Sequence, residues 1–136
     1  MDDLKRIRQL ANLLEESAKE TFVIDIEEAS VENTFFRNVI YTGPHLQLVL
    51  MSLRPGEDIG EETHTKSDQF IRVESGTAEF VLNGDRKTSG DGAAVVIPQG
   101  MRHNIINVGD DELKLYVLYS HTEHPDGTQE KTKPAD

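Results

Sequence analysis

Residues 54–76 read RPGEDIGEETHTKSDQFIRVESG, and residues 92–107 read GAAVVIPQGMRHNIIN. In the first stretch Glu62 and His64 stand two apart in a segment that predicts a strand. Side chains alternate faces along a strand, so the two point the same way. Gln69 follows a short polar loop, and then Gln69, Ile71 and Val73 share one face of an alternating run while Phe70, Arg72 and Glu74 share the other. In the second stretch residues 93–97 form a continuous apolar run of the buried-strand kind. Pro98 and Gly100 break that run, and His103 comes next. A carboxylate, two imidazoles and an amide oxygen in this pattern can converge on one divalent cation.

The spacing of these residues resembles that of the cupins, small double-stranded β-helix barrels. The first motif of that family is G-x5-H-x-H-x4-E-x6-G, and Gly56, Glu62, His64, Gln69 and Gly76 fall on its five places. Glu62 stands where a His is usual, and Gln69 where a Glu is usual. The second motif, G-x5-P-x-G-x2-H-x3-N, is matched at every place by Gly92, Pro98, Gly100, His103 and Asn107. The resemblance extends over residues 46–119. It implies an all-β jelly-roll barrel, a metal held by Glu62, His64, Gln69 and His103, and a chain that pairs as a homodimer. It is nearest to short single-domain cupins of the mannose-6-phosphate isomerase-like group.

A chain of 136 residues predicts one domain. We read residues 1–20 as an N-terminal helix, 21–120 as the barrel and 121–136 as a polar tail, loosely ordered or laid across the surface. The helix rests on Leu4, Ile7, Leu10, Ala11, Leu14 and Ala18, which recur at three- and four-residue steps. Residues 21–26 (TFVIDI), 34–42, 45–53, 77–82, 85–88 and 113–120 predict strands. Asn83-Gly84 marks a tight hairpin. An acidic stretch, 27–33, separates the first two strands.

The formal net charge of −11 repels phosphate backbones and anionic lipids, which excludes nucleic acid and membrane as expected partners. The chain has no Cys, which rules out disulfides and thiolate chemistry. MDDLKRIRQL lacks the apolar stretch of a signal peptide, so the expected location is the cytoplasm.

Two imidazoles with carboxylate and amide oxygens suit Fe(II), Mn(II), Ni(II) or Zn(II) and disfavour Cu(I). Four ligands on one side of an octahedron leave two positions for substrate or water. The bland alternative is a satisfied polar pair inside a barrel without metal. Glu62 and His103 are the expected catalytic residues, with Glu62 able to act as a base. Tyr41, Gln47, Met51 and Tyr116 are candidates to line the pocket. Parity turns Arg72 outward, as an ion-pairing surface residue. His45, His121 and His124 are read as non-ligands, with the last two near enough in sequence to the final strand to cover the barrel mouth.

These expectations describe a metal-dependent enzyme acting on a small polar organic molecule such as a sugar or keto acid, of isomerase, lyase or dioxygenase type. The alternative is a non-catalytic small-ligand-binding protein, a sensor or store. No Lys or Arg falls on the inferred inward faces, which argues against a sugar phosphate.

Overall fold

In the computed structural model, residues 3–8 and 21–135 are described. Nine strands follow one another among them: β1 (Arg37–Thr42), β2 (Gln47–Leu53), β3 (Gln69–Ser75), β4 (Ala78–Leu82), β5 (Asp85–Ser89), β6 (Ala94–Ile97), β7 (His103–Asn107), β8 (Leu113–Tyr119) and β9 (Gln129–Glu130). They form a six-stranded sheet in the order β6-β3-β8-β2-β1-β9 and a three-stranded sheet in the order β5-β4-β7. Every pairing is antiparallel, and the two sheets enclose one core as a jelly-roll barrel. Among the described residues no helix is long and apolar enough to cross a membrane.

Alternation decides what the barrel contains. On β2 the inward residues are Gln47, Val49, Met51 and Leu53, and on β8 they are Leu113, Leu115, Val117 and Tyr119. The register sets these side by side in layers. Val49, Val117 and Ile71 form one layer, Met51, Leu115 and Val73 the next, all at most 1% exposed. Gln47, Tyr119 and Gln69 form the layer at one end, on three adjacent strands. From the opposite sheet His103 faces Leu82 at the same end of β7, with Ile105 and Asn107 deeper. The barrel is thus apolar through its depth and polar at one rim.

Asn107 is the exception, a buried amide at the far end. Its Nδ2 donates to the Leu53 and Asp111 carbonyls, and its Oδ1 accepts from the Gly109 N–H. The matched Asn of the second motif is therefore a structural clasp between β2, β7 and the turn before β8.

Two expectations from sequence are corrected. The run TFVIDI is not a strand: residues 21–25 are irregular, and Ile26–Glu32 is a helix covering the acidic stretch. Asp25 caps it by accepting from the Glu28 N–H, and Glu27 and Glu28 suit the positive end of its dipole. The segment carrying Glu62 is not a regular strand either. It runs extended beside β7, with Glu62 and His103 exchanging both backbone hydrogen bonds at 2.9 Å, but only isolated bridges form. Gly60, at φ +108°, interrupts the ladder, and its N–H is taken by the Asn104 side chain. Of the two placements expected for the tail, the structure shows it laid across the surface. β9 pairs with β1, Arg37 bonds Glu130, and Lys133 bonds Asp58. Of the expected N-terminal helix, residues 3–8 are helical and exposed, and the remainder lies outside the described residues.

Candidate metal centre

The polar rim brings the sequence-predicted donors together. One ligand atom each from Glu62, His64 and His103 lies within 4.8 Å of the others. Glu62 Oε2 is 2.8 Å from His64 Nε2 and 3.9 Å from His103 Nε2. Gln69 Nε2 is 3.2 Å from His103 Nε2, so the fourth predicted residue reaches the same group. Its amide presents nitrogen to the imidazole in this arrangement, and a half-turn of that amide presents oxygen instead. Three elements carry the set: β3 and β7 supply Gln69 and His103, and the extended segment bridged to β7 supplies Glu62 and His64.

Each histidine has its other nitrogen occupied. His103 Nδ1 is 2.9 Å from the Met101 carbonyl, which accepts only from N–H and so leaves Nε2 with its lone pair toward the cluster. His64 Nδ1 is 3.1 Å from Glu123 Oε2. A metal site makes this demand of its histidines, with one nitrogen held by an outer acceptor and the other turned toward the ligand cluster. The donor set is therefore compatible with a divalent metal ion. His103 is almost fully buried, His64 and Glu62 are partly open, and Glu62 is the most exposed of the three at 29%.

The electrostatics agree with the geometry. Burial alone pushes the Glu62 carboxyl up, but the His64 hydrogen bond and the charges of His64, Arg37 and His103 bring it net below its ordinary value. The hydrogen bond to Glu62 raises His64 above its ordinary value, against burial and with help from Glu123. Burial pushes the Tyr119 hydroxyl up and the His124 imidazole down. In the metal-free chain the His64 contribution to stability is complete below about pH 6.5 and is lost as pH rises through the raised value. The Glu62 contribution is present above the ordinary carboxylate range and is lost as pH falls through the lowered value. We therefore expect the metal-free protein to unfold at a higher temperature near pH 6 than near pH 8.5, and His64→Gln to flatten that slope in a thermal scan.

The pocket candidates fare differently. Tyr116 points outward, where its ring lies 6.3 Å from Phe70, because β8 turns only Leu113, Leu115, Val117 and Tyr119 inward. Tyr41 also lies outside, against Phe22 and lining a hollow with Leu46, Leu48 and Leu118. Met51 faces inward but deep in the core, at 1% exposure. Gln47 does sit at the rim, yet its amide is engaged by the tail: Oε1 accepts from the Glu123 and His124 N–H groups, and Nε2 donates to the His124 carbonyl. Arg72 faces outward as expected and pairs with Glu74 at 3.0 Å. His45 and His121 are exposed.

Two rim residues, Tyr119 and Glu123, escaped the sequence reading, and His124 stands at the barrel mouth, a place the sequence had left open to it. Tyr119 lies with its ring 5.6 Å from that of His64, and His124 packs edge-on against the same ring at 5.6 Å. Glu123 reaches His64 from the tail. Tyr119 was findable, since it shares parity with Leu113, Leu115 and Val117. Glu123 was not, because only tertiary contacts bring the tail back to the mouth.

The fold and site together define a small jelly-roll β-barrel with a mixed imidazole and carboxylate cluster at one rim. The chain belongs to the cupin family: the family model Cupin_2, a cupin domain, matches residues 49–119. The chain is 42% identical over 128 residues to YrkC of Bacillus subtilis, an alignment covering 89% of this chain and 68% of that one. It is 44% identical over 120 residues to L612 of Acanthamoeba polyphaga mimivirus, covering 85% and 74%. Among solved structures it resembles BH2720 of Bacillus halodurans, with TM-score 0.83 and 40% identity over 85% of this chain and 92% of that one.

Proposed function

We propose that the chain holds one divalent first-row metal ion through Glu62, His64 and His103, with Gln69 as a fourth ligand, and acts on a small polar organic molecule at the open side of that centre. The observation that carries this reading is the convergence of the three ligand atoms within 4.8 Å while the outer nitrogen of each histidine already has an acceptor. A bound ion of this kind supplies Lewis acidity toward a carbonyl or hydroxyl oxygen.

The chain's own residues divide the remaining work. His103, buried and fixed on the Met101 carbonyl, holds position and has no mobile proton on Nδ1 to give. Glu62, the most exposed of the set, is the group able to leave its partners and accept a proton from a substrate carbon or hydroxyl. Tyr119 stays protonated at neutral pH and offers a hydroxyl near His124 and the rim. The sequence expectation that no Lys or Arg faces inward does not hold. Arg37 stands beside the inward Met51, pairs with Glu130, and its charge reaches Glu62, Tyr119 and His124, which favours polar molecules that chelate a metal, those bearing a carboxylate included. Sugars and keto acids fit that description, and isomerisation, lyase or dioxygenase chemistry is compatible with it.

A second reading has an observation of its own. Without metal, His64 already bridges Glu62 and Glu123 as a closed ion-paired set, which supports a non-catalytic pocket that binds a ligand and does not convert it. The two are separated by incubating metal-loaded protein with sugars, keto acids and thiols, with and without O2. Consumption of one of them, lost in Glu62→Gln, supports the enzyme. Binding with complete recovery of every compound supports the second reading.

A further inference from the structure

We infer that Glu123, carried to the barrel mouth by the C-terminal segment, is a positioning residue for the metal ligand His64, and that the buried Gln47 amide is the anchor that puts it there. The inference rests on the metal-binding reading above and extends it to residues outside both sequence motifs.

Glu123 uses both carboxylate oxygens. Oε2 lies 3.1 Å from His64 Nδ1, and Oε1 accepts from the Ser67 hydroxyl in the loop that follows His64. The carboxylate therefore ties the imidazole and its own loop to the tail. An acceptor on Nδ1 fixes which nitrogen faces the cluster and the plane in which the ring lies. It also increases the electron density that Nε2 offers to a cation. His103 obtains the same service from a backbone carbonyl of its own strand approach, at Met101. His64 has no comparable local acceptor and takes one from 59 residues away, by the sequence difference between positions 64 and 123.

A tail could not hold such a carboxylate unless it were itself fixed. Gln47 is fully buried, and its amide is spent on this task. Oε1 accepts from the backbone N–H groups of Glu123 and His124 at 3.1 and 3.0 Å, and Nε2 donates to the His124 carbonyl at 2.8 Å and to Thr42 Oγ1 at 3.0 Å. These bonds leave the backbone at 123–124 one placement relative to β2. Beyond it, the β1–β9 pairing and the Lys133–Asp58 contact hold the rest of the segment to the barrel. The order of action is thus Gln47, then the 123–124 backbone, then the Glu123 carboxylate, then the His64 ring.

The test uses the full chain and Co(II) alone as probe. Calorimetric titration is expected to show Glu123→Ala binding Co(II) about 10–100-fold more weakly than wild type, the usual effect of removing an outer partner. Glu123→Gln keeps an oxygen acceptor without the charge and is expected to recover part of that loss. Gln47→Leu, which displaces the tail without touching the cluster, is expected to weaken binding as Glu123→Ala does. Nitrogen-15 spectra of the metal-free protein supply the independent readout. The His64 Nδ1 proton should be observed in wild type and Glu123→Gln and be lost to exchange in Glu123→Ala. Glu123→Ala and Glu123→Gln both binding Co(II) within about twofold of wild type, with an unchanged His64 signal, overturns the inference. If wild type itself binds no Co(II), the metal reading fails, and the His64 proton still decides whether Glu123 positions the ring.

Discussion

His64→Ala is expected to lower metal affinity by at least about 100-fold, more than the 10–100-fold that removal of an outer partner costs. The substitution takes away one of the two nitrogen donors in the cluster. It also leaves the Glu62 and Glu123 carboxylates without the imidazole that lies between them, at 2.8 Å from one and 3.1 Å from the other. The remaining His103, Glu62 and Gln69 offer a neutral nitrogen, one carboxylate and a neutral amide. The fold itself should survive, because His64 lies on an extended segment at the rim and outside the buried apolar cluster. Elemental analysis after dialysis reads the result. Wild type should retain about one ion per chain, as a single site requires, and His64→Ala close to none. A His64→Ala protein that keeps the full complement contradicts the ligand assignment.

The largest effect on stability is expected at Gly76, in the turn that carries the chain from β3 in one sheet to β4 in the other. Its φ is +97°, and a Cβ there would stand 2.8 Å from the Glu112 carbonyl oxygen and 3.0 Å from Leu113 Cα. Both are backbone atoms at the start of β8, the strand paired with both β2 and β3, so neither yields without disturbing the six-stranded sheet. The unfavourable backbone costs about 1–2 kcal/mol. Forced contact in a packed region adds about 1–3 kcal/mol. We expect Gly76→Ala to lose roughly 2–5 kcal/mol in urea unfolding, a large share of the 5–15 kcal/mol typical of a domain. Gly84→Ala isolates the first contribution. Gly84 has a similar φ of +88° with nothing within 4 Å of the added Cβ, and should lose only about 1–2 kcal/mol. Equal losses at the two positions would show that the contact with residues 112–113 is not what constrains Gly76.

The cluster was the most legible part of the chain because its signal is local. Glu62 and His64 stand two apart, Gln69 opens an alternating strand, and His103 follows Pro98 and Gly100 at fixed steps. Three of these residues meet as expected, and the fourth contacts His103. The helix Ile26–Glu32 was misread although its signal was present. Asp25 followed by Glu27 and Glu28 is a helix start, but the β-branched run before it drew the segment toward a strand. Tyr116 was a pocket candidate and Tyr119 was not, although the alternation of Leu113, Leu115 and Val117 already places Tyr119 inward.

The tail shows where local reading stops. Residues 121–136 are polar and contain Pro and Gly, and nothing in their own sequence opposes a loose strand of chain. Their order comes from groups far away in sequence: the Gln47 amide, the β1 edge and Asp58. A buried glutamine on β2 has four hydrogen-bonding positions to satisfy, and the barrel interior beneath it is apolar. That requirement was readable from Gln47, but its solution was not, because any passing backbone would serve.

X-ray absorption on zinc-loaded wild-type protein tests the central claim most directly, since it reports the atoms around the ion and nothing else. The account predicts a first shell of nitrogen and oxygen at about 2.0–2.2 Å, with the outer-shell scattering of two imidazole rings, one of which disappears in His64→Ala. A first shell of oxygen alone, with no imidazole scattering in wild type, would place the ion elsewhere and contradict the account.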